Sequence, residues 1–404
     1  MVVFALVVLW LALACLALGW LFRENIVRGW REPVLRNPVM ILESDDWGYG
    51  PVDQSMMLDR LAETLDRYRD ARGRPPVMTL GVVLAGPATD AMRAEDCARY
   101  HRLTLADDPL RPVRDSMLRG KARGLFALHL HGHEHYWPEC VMRAARERPE
   151  IHNWLCATGM PRTEDLPSPL QSRWIDAAAL PSRSLPADAA RREAGAEVRA
   201  FATTFGEPPA VVVPPTFVWT REVESAWADA GIGIVMTPGR RSEARDAEGK
   251  LVYEPGEICN GDLGEGGCLY LVRDVYFEPA LGHDHQRATA DVVAKSKLGR
   301  PALVEIHRMN FLPSGPSADQ AIDELCRLIS SVRALLPDVR FMSPAELAEH
   351  YAKTAGLVET RPARRAHYLL RRLAVVSKLR KLAWITGAII PATIAYAVTR
   401  PARN

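Results

Sequence analysis

Short apolar runs bounded by turn residues recur along the middle of the chain and predict strands. The runs are Pro38–Glu43, Val77–Val83, Leu125–Leu130, Ala210–Val213, Ile232–Met236, Leu269–Val275, Ala302–Ile306 and Val339–Met342. Segments with helical periodicity lie between them: Asp53–Arg72, Asp188–Phe205, Thr220–Ala230 and Ser317–Leu336. The pattern therefore predicts strands that alternate with helices.

This alternation predicts an α/β fold with a parallel sheet. Strands joined through helices pair in parallel, and seven or eight such units over about 300 residues favour a barrel. The polar groups at the carboxyl ends of the strands of a barrel face one mouth. Asp45–Asp46, His131–His135, Pro214–Pro215 and His307 directly follow predicted strands. We therefore expect these residues to converge on one site.

Residues 136–187 interrupt the alternation of strands and helices, and they contain aromatic residues and many prolines. Tyr136-Trp137-Pro138, His152-Asn-Trp154 and Trp174 fall in this stretch. One interpretation is that the aromatics pack under a loop, and the other is a substrate lid over the mouth. We prefer the lid, and we treat 136–187 as a lid-like insertion in a catalytic barrel that spans 36–352.

Residues 2–22 carry no charged side chain and predict an N-terminal transmembrane helix within 1–23. About twenty residues cross the hydrocarbon layer of a bilayer. A cleaved signal peptide is the rival interpretation, but it normally has Lys or Arg before a shorter apolar run. The first basic residue here is Arg23. We therefore favour an uncleaved anchor.

A second apolar run, Leu382–Val398, lies near the C-terminus. It is short for a span and contains Gly387 and Pro391, so it is either a second span or a re-entrant or interfacial segment. Residues 361–404 contain ten Lys and Arg residues and no Asp or Glu. A basic segment beside apolar sequence is typical of an amphipathic helix on an anionic lipid surface. We assign 361–404 to a basic and hydrophobic membrane segment.

The charges beside the two apolar runs predict which side of the membrane holds the large domain. Basic residues follow the first run at Arg23, Arg28, Arg31 and Arg36, and the basic cluster at 361–381 precedes the second. By the positive-inside rule, the domain between them is cytoplasmic, on a bacterial type of inner membrane. The extracytoplasmic side stays open as the alternative.

The net charge and the cysteine content bear on the partners of the chain and on its cellular compartment. The formal net charge is only +2, too small for an electrostatic footprint on nucleic acid, so we expect no nucleic-acid partner. Seven cysteines fit a reducing compartment without demanding it. If the domain were outside, Cys259 with Cys268, or Cys140 with Cys156, would be candidate disulfides.

The segment 128–135 holds four of the eleven histidines of the chain. Imidazole is the commonest side-chain ligand for divalent transition metals. His131 and His135 are four residues apart, and a helical turn after the strand would place both on one face. We favour these two as metal ligands, with His133 and Glu134 as neighbours.

Asp45 and Asp46 end the first predicted strand side by side. One acid can bind a cation while its neighbour stays free to take a proton, and a nearby divalent ion keeps both ionised. Two imidazoles, a ligating carboxylate and a second carboxylate form a metal site with a general base. That set of residues indicates metal-assisted hydrolysis.

Two further histidines lie in predicted strands. His307 ends the strand that begins at Ala302, and a group that changes charge near neutral pH suits a general acid. His129 falls inside its strand. We interpret His129 as a hydrogen-bonded histidine of the barrel rather than a ligand.

The motifs resemble, in order and approximate spacing, those of the polysaccharide-deacetylase (NodB-homology, carbohydrate esterase) superfamily. They are Ser-Asp-Asp-Trp-Gly at 44–48, His-Gly-His-Glu-His at 131–135, Val-Val-Pro-Pro-Thr-Phe at 212–217, Glu-Ile-His at 305–307 and Phe-Met-Ser-Pro-Ala-Glu-Leu at 341–347. The resemblance covers roughly residues 36–350 and leaves out both apolar ends. It implies a distorted (β/α)7 barrel that removes an N- or O-acyl group from a sugar, with Zn²⁺ or a similar ion (Co²⁺, Mn²⁺ or Ni²⁺).

The resemblance also implies roles for individual residues. Asp45 is expected to be the general base and His307 the general acid. Asp46, His131 and His135 are expected to bind the metal. Substrate or oxyanion contacts are expected from Pro215, Thr216, Trp47 and Trp137.

The sequence departs from the family pattern in three places. The first motif reads Ser-Asp-Asp-Trp-Gly instead of Thr-Phe-Asp-Asp-Gly, and the third lacks the arginine of the family. His283-Asp284-His285 is an additional cluster. Asp284 and Asp274 are our two candidates for the acid that orients His307.

Together these features predict a metal-dependent hydrolase that removes an acetyl or formyl group from a membrane-proximal or lipid-linked sugar. Membrane lipids and the glycan are the expected partners. The alternatives are an inactive barrel that binds glycan or serves as a scaffold in a membrane complex, and a metal-dependent glycoside hydrolase. Measuring bound metal distinguishes the inactive barrel from the hydrolase, because an inactive barrel need not keep its ion. Product analysis, acetate against reducing sugar, distinguishes a glycoside hydrolase from a deacylase.

Overall fold

A computed structural model describes residues 1–312, 318–354 and 356–400. The predicted helix start at Ser317 and the last four residues of the 361–404 segment lie outside the described residues. The strands are β1 (Val39–Gly48), β2 (Met78–Val83), β3 (Ala85–Pro87), β4 (Arg102–Thr104), β5 (Phe126–Leu130), β6 (Ile175–Asp176), β7 (Arg183–Ser184), β8 (Val211–Val212), β9 (Ile234–Thr237), β10 (Ser242–Arg245), β11 (Leu251–Tyr253), β12 (Leu269–Val272), β13 (Val275–Tyr276), β14 (Ala302–His307) and β15 (Arg340–Phe341).

The helices cover the outside of the sheet and both ends of the chain. They are α1 (Val2–Leu21), α2 (Arg23–Arg31), α3 (Gln54–Leu65), α4 (Thr89–Ala94), α5 (Arg111–Ala122), α6 (Pro138–Glu147), α7 (Pro149–Leu155), α8 (Ala187–Phe205), α9 (Arg221–Asp229), α10 (His285–Lys297), α11 (Ala318–Leu335), α12 (Pro344–Lys353), α13 (Pro362–Ala374), α14 (Ser377–Thr386) and α15 (Ile389–Thr399).

The main sheet is parallel and follows the order β12-β9-β8-β5-β2-β1-β14-β13, with β15 also paired to β1. All ten residues of β1 are buried, because one face of the strand lies inside the barrel and helices cover the other. The predicted alternation of strands and helices is confirmed, including every strand run named above. The predicted run at 269–275 is two strands, β12 and β13.

The sheet closes into a barrel at the break between β12 and β13. These strands lie at opposite edges of the sheet, yet only Arg273 and Asp274 connect them. The three Cα–Cα steps from Val272 to Val275 reach only about 10 Å when extended, so the two edges of the sheet must approach each other. The chain therefore forms the distorted (β/α)7 barrel that the sequence predicted.

We call the end of the barrel at the carboxyl ends of its strands the mouth, and the opposite end the base. The helices α2 and α13 pack together at the base, next to the residues that precede β1 and β14. The guanidinium of Arg372, in α13, is buried there. It donates hydrogen bonds to the carbonyls of Gly29, Glu32, Pro33, Leu298 and Gly299 at 2.9–3.4 Å.

The apolar ends of the chain lie beyond the base. Helix α1 is long and apolar enough to cross a membrane, and most of its large side chains are exposed. The C-terminal apolar run forms α14 and α15, which bend by 112°, the geometry of a broken span or a re-entrant loop. Trp10 of α1 donates to the carbonyl of Thr386 at 2.9 Å. A second membrane segment therefore stays a prediction.

The basic segment differs from the prediction in one respect. The sequence suggested an amphipathic helix along lipid, but α13 also contacts the base of the barrel through its buried Arg372, and its buried His367 stacks on Tyr396 of α15. Arg361 and Arg364 pair with the buried carboxylate of Glu359. Several of the cations predicted to face lipid therefore hold the C-terminal segment to the base.

One disulfide joins Cys97, just after α4, to Cys156, just after α7. Neither predicted pair forms, since Cys140, Cys259 and Cys268 are free. The bond ties the 136–187 segment to the loop that follows β3. A disulfide is typical of an oxidising compartment, which is opposite to the side that the charge distribution predicts.

Candidate metal-dependent active site

Asp45 and Asp46 both face the mouth because β1 is irregular at this point. Neighbouring residues of a regular strand point to opposite faces of the sheet. The pairing of β1 with β2 shifts register between Ser44 and Trp47, and Asp46 adopts a left-handed φ of 72°. This bulge re-aims the side chain of Asp46. The pattern of the sequence predicts both acids at the strand end, but it does not indicate the bulge.

The neighbouring strands leave room for Asp45 and place it beside His307. The β1–β14 register pairs Asp45 with His307. On the other side, a Cβ atom at Gly81 of β2 would lie 2.3 Å from Oδ1 of Asp45. Glycine at position 81 is therefore required by the close approach of this carboxylate.

A sharp turn at Gly132 brings His131 and His135 together. The segment 131–137 is irregular rather than helical, so the predicted convergence of the two imidazoles is correct but the predicted helical turn is wrong. Gly132 has a φ of 98°, and a Cβ there would lie 2.5 Å from the carbonyl oxygen of Glu134. The two imidazole centroids are 4.8 Å apart.

Backbone carbonyls hold both imidazoles with the same nitrogen toward the site. Nδ1 of His131 is 2.7 Å from the carbonyl oxygen of Val213, and Nδ1 of His135 is 2.9 Å from that of Gln171. A donated Nδ1–H leaves the lone pair on Nε2 free for a ligand. This arrangement is the usual support for a metal-binding histidine.

The three predicted ligands fit a divalent metal ion. Oδ1 of Asp46 lies 3.3 Å from Nε2 of His131 and 3.3 Å from Nε2 of His135. Tetrahedral ligands bound at 2.0–2.1 Å lie about 3.3 Å from each other, so the spacing suits Zn²⁺. The same Oδ1 atom is buried and accepts no hydrogen bond from the described residues. A buried carboxylate oxygen with two imidazole lone pairs beside it has the donor chemistry of a cation site.

Arg273, at the closure of the barrel, binds the acids on the inner side of the site. Its guanidinium donates to Oδ2 of Asp45 at 2.6 Å and to Glu43 at 3.2 Å, and lies 3.4 Å from Glu305. Burial raises the pKa of Asp45, but the charge and hydrogen bond of Arg273, together with the charges of His131 and His307, outweigh burial and hold this pKa below its usual range. Burial raises the pKa of Glu43 to about 8 despite Arg273. Asp45 is therefore the ionised acid of the group.

His307 is oriented by a carboxylate that the sequence analysis did not identify. Nδ1 of His307 lies 2.5 Å from Oε1 of Glu278, which is fully buried. Burial lowers the pKa of His307, but the hydrogen bond to Glu278 and the nearby carboxylates outweigh burial and raise it to about 10. The imidazole therefore carries a proton at neutral pH, with Glu278 fixing the ring.

The predicted orienting acids are engaged elsewhere. Asp274 pairs with Lys295, and Asp284 caps the N-terminus of α10 by accepting from the backbone of Arg287. Both follow strands or precede helices, where acids are common. Among the described residues, Glu278 is the carboxylate that bonds Nδ1 of His307, so both candidates were wrong.

Arg273 and Glu278 were missed for one reason. The apolar run at 269–275 predicts a single strand, which places Arg273 inside it and Glu278 three residues beyond its end. In the structure each residue directly follows a short strand or comes within two residues of one. The rule that found Asp45 and His307 would have found them had the break in this run been recognised.

A cavity of about 320 Å³ opens at the mouth over the five predicted catalytic and ligand residues. Its wall also includes Glu164, Gln171, Pro214, Thr216, Phe217, Arg273, Tyr276, Glu305 and Met309. This volume is at the lower end for a small-molecule pocket. The site therefore suits a small ligand or one end of a larger one rather than a long buried ligand.

The segment 136–187 contributes to the wall, but not through its aromatic residues. Glu164 lines the cavity and pairs with the buried guanidinium of Arg308 at 2.9 Å. Trp154 and Trp174 are buried in the core instead. The aromatics thus pack under the loop, while polar residues of the same segment face the cavity.

The predicted substrate residues are divided between the cavity and the core. Thr216 lines the cavity with a left-handed φ of 53°, and its hydroxyl lies 2.7 Å from that of Ser172. Trp47 is fully buried and donates to Ser44, and Trp137 packs near Trp174. Pro215 lies behind the wall, 3.3 Å from the Cβ position of Gly132. Neither tryptophan lines this cavity, because both complete the hydrophobic core.

Two other residues of the segment 128–135, His129 and Glu134, lie outside the group of predicted metal ligands. His129 is buried, but its Nδ1 has no hydrogen-bond partner among the described residues, and burial lowers its pKa to about 3. It is outside the ligand group, as expected, but without the expected hydrogen bond at Nδ1. Glu134 forms a buried ion pair with Arg173 at 2.9 Å and another with Arg102 at 2.5 Å.

A second group of metal-ligand residues occurs at Cys97, His152 and Cys156. Two of its three donor atoms are the sulfurs of the disulfide. Within the described residues, Asp46, His131 and His135 are thus the group whose donors are all available to an ion.

Comparisons with known proteins add a resemblance at the level of structure. No protein-family model matches the chain, and no curated protein matches it. Similar solved structures include a family 4 carbohydrate esterase from Streptomyces lividans in complex with acetate, 11% identical over 76% of this chain and 92% of that one, with a TM-score of 0.34.

Two further structures have similar scores. A putative polysaccharide deacetylase from Mycobacterium smegmatis is 14% identical over 82% of this chain and 99% of that one, with a TM-score of 0.37. A CE4 family pseudoenzyme from Bacillus anthracis is 11% identical over 77% of this chain and 66% of that one, with a TM-score of 0.36. At these low scores the fold assignment rests on the strand order and the closure of the barrel. Polysaccharide deacetylases are thus among the structures that this chain resembles, as its motifs indicated.

Proposed function

We propose that the chain is a metal-dependent hydrolase that removes an acetyl or formyl group from a sugar. The observation that carries this proposal is the convergence of Asp45, Asp46, His131, His135 and His307 around one cavity at the mouth. These residues come from three separate strand ends. A structural role would not require two supported imidazoles to face an unbonded buried carboxylate oxygen.

The described residues divide the chemistry among themselves. A divalent ion bound by Asp46, His131 and His135, most simply Zn²⁺, would polarise the acyl oxygen and lower the pKa of a water molecule. Asp45 takes the proton of the attacking water. Arg273 keeps Asp45 ionised for that step. His307, held protonated by Glu278, donates to the departing amine or alkoxide.

The position of the mouth favours one of the two predicted substrates. The apolar helix α1 and the C-terminal helices adjoin the base, whereas the catalytic residues lie at the mouth. The six residues of β14 separate the two ends by about 20 Å. A sugar attached directly to a lipid phosphate stays near the headgroups. A glycan that extends away from the membrane reaches the mouth more readily.

The membrane anchor and its orientation belong to the same proposal. We expect α1 to anchor the chain, on the evidence of its length and composition. The charge distribution favours a cytoplasmic barrel, and the Cys97–Cys156 disulfide favours an extracytoplasmic one. Thiol trapping in intact cells, followed by denaturation and mass spectrometry, decides between them. An intact bond places the barrel outside, and two alkylated cysteines place it inside.

The test of activity uses the detergent-purified full chain with two substrates. One is a water-soluble N-acetylated oligosaccharide, and the other is an N-acetylated sugar linked to a lipid in vesicles. Acetate, free amine and reducing ends are measured for each. Asp45→Asn is the matched control, because it removes the base and leaves the three proposed ligands in place. We expect acetate and amine from the soluble glycan with the unchanged chain, and none with the variant.

Other products would identify the alternatives. New reducing ends without acetate would indicate a glycoside hydrolase. No product from either substrate, with no bound metal, would favour an inactive binding or scaffold barrel. The third motif lacks the arginine of the family, which favours the inactive barrel. Arg273, which directly follows β12, donates to Asp45 and supplies a guanidinium at the site from a different position, which weakens that argument.

A further inference from the structure

A cavity of about 610 Å³ lies beyond the base, far from the mouth, where five helices meet. Its walls are mainly apolar and come from α1, α2, α13, α14 and α15, with the end of α10 at one side. Small side chains such as Gly19, Ala383 and Ala392 leave the space open. This cavity is larger than the one at the catalytic residues and shares no residue with it.

Three cations border the apolar space: Lys297, Arg371 and Arg380. Arg371 donates to the carbonyl of Lys297 at 2.8 Å and to the hydroxyl of Tyr396 at 3.3 Å. None of the three forms an ion pair within the part of the chain that the structure describes. The segment from 361 onward also contains no acidic residue. The cavity thus combines an apolar interior with an uncompensated positive rim.

The depth of the cavity matches the boundary of a bilayer. Its lining residues on α1 are Cys15, Leu18 and Gly19, which lie four to eight residues before Arg23. At a rise of 1.5 Å per residue, they lie about 6–12 Å from Arg23 along the helix. If α1 crosses the membrane, the apolar part of the cavity faces acyl chains and the cations lie at the level of the headgroups.

We propose that this cavity binds one anionic phospholipid of the membrane. The phosphate contacts Lys297, Arg371 and Arg380, and an acyl chain fills the apolar space between α1 and the α14–α15 bend. The bound lipid joins the anchor to the base of the barrel. This inference requires α1 to lie in a membrane, but it does not depend on the hydrolase activity.

The test compares lipids retained by the full chain. The protein is reconstituted in nanodiscs of equal phosphatidylglycerol and phosphatidylcholine, extracted into mild detergent, washed, and weighed by native mass spectrometry. We expect about one phosphatidylglycerol per chain, because the three cations line a single cavity. The Lys297→Gln/Arg380→Gln double variant should bind it about 25-fold more weakly, which is about fivefold for each charge at a lipid surface.

The matched control removes the same charge outside the cavity. Lys378→Gln/Lys381→Gln alters two exposed residues of α14 that do not line it, and this variant should retain the lipid. Ala392→Trp should exclude the lipid by filling the apolar space, whereas Ala395→Trp, on the exposed side of α15, should not.

Several outcomes would overturn the proposal. Equal loss in both charge variants would indicate general attraction to an anionic surface. Equal retention of the two lipids would show that the three cations do not select phosphatidylglycerol over phosphatidylcholine. Binding of inorganic phosphate as tight as that of phosphatidylglycerol would remove the role of the acyl chain. A chain recovered without any lipid would contradict the site altogether.

Discussion

Two buried arginines lie at opposite ends of this barrel and have opposite surroundings. Arg273 at the mouth faces three carboxylates, those of Asp45, Glu43 and Glu305. Arg372 at the base faces five backbone carbonyls, and its carboxylate neighbour Glu32 is 3.4 Å away. Both are almost completely removed from solvent.

The difference shows what each buried charge can do. Carboxylates around Arg273 make the pKa of each acid depend on the guanidinium, so the group controls protonation at the site. Carbonyls around Arg372 do not titrate, and bonding to them only fixes the chain segments that carry them. The mouth therefore holds acids whose protonation depends on a buried cation, and the base holds a buried cation that joins chain segments.

Removing a metal ligand should have the largest effect on the mouth. His131→Ala should lower turnover by about 10³-fold or more, since Lewis-acid assistance contributes several kcal/mol and each 1.4 kcal/mol is a factor of ten. Steady-state acetate release measures this. His133→Gln, in the same segment but outside the ligand group, should keep both metal and activity. Equal loss in the two variants would indicate a general disturbance of the segment.

Removing the arginine at the mouth should reduce stability as well as activity. Arg273→Met leaves Asp45, Glu43 and Glu305 buried without their cation, and breaking such a pair costs about 3–5 kcal/mol. Denaturant unfolding and acetate release measure the two effects. Arg273→Lys should recover part of both. An unchanged free energy of unfolding for Arg273→Met would contradict the role assigned to this group.

Removing the arginine at the base should affect attachment and leave catalysis intact. Arg372→Met should destabilise the contact of α13 with the barrel by about 2–3 kcal/mol, because charged donors to buried carbonyls are lost. Limited proteolysis should then cleave near 357–361 sooner, while turnover of a soluble glycan stays within about twofold. Lys378→Met, at an exposed position of α14, should change little, as most surface substitutions do. A large loss of turnover would end the proposed separation of mouth and base.

The orienting carboxylate should be visible in the pH dependence. Glu278→Gln removes the main partner that raises the pKa of His307 to about 10, so this pKa should fall. The general acid must be protonated, so the alkaline limit of kcat/KM should move to lower pH. In the unchanged chain, the stability from this pair is complete below about pH 6.5, the ordinary pKa of histidine. It is lost as the pH rises through about 10. A pH profile that does not shift in the variant would contradict the assignment.

The smallest expected effect is at Trp47, and it tests whether this side chain belongs to the core or contacts the substrate. Trp47→Phe removes the hydrogen bond to Ser44 and some packing, which should cost about 1 kcal/mol of stability and leave KM unchanged. Urea unfolding and substrate titration measure these quantities. A raised KM with unchanged stability would indicate that Trp47 contacts the substrate, as first predicted, and would contradict its assignment to the core.

The sequence predicted the fold and the ligands because both depend on local patterns. Apolar runs identified the strands, and the rule that polar residues follow strand ends brought together Asp45, Asp46, His131, His135 and His307. The bulge at Asp46 and the turn at Gly132 could not be predicted in detail, because they depend on the neighbouring strands. Apolar periodicity also cannot show that a strand breaks at Arg273 where the barrel closes.

The aromatic residues show a second limit of the pattern. Trp47 and Trp137 stand beside catalytic motifs in the sequence, but each has an apolar side chain large enough to complete the core. Neighbourhood in the sequence therefore did not indicate contact with the cavity. Likewise, pairs of cysteines cannot be matched from spacing, and the pair that forms joins two segments that are far apart in the chain.

The most direct test is the metal content of the detergent-purified chain and of its Asp46→Ala variant, measured by plasma mass spectrometry. The account predicts about one divalent ion per unchanged chain and almost none in the variant, with the variant still folded by circular dichroism. An unchanged chain without metal, or a variant that holds as much, would contradict a cation bound by Asp46 with His131 and His135.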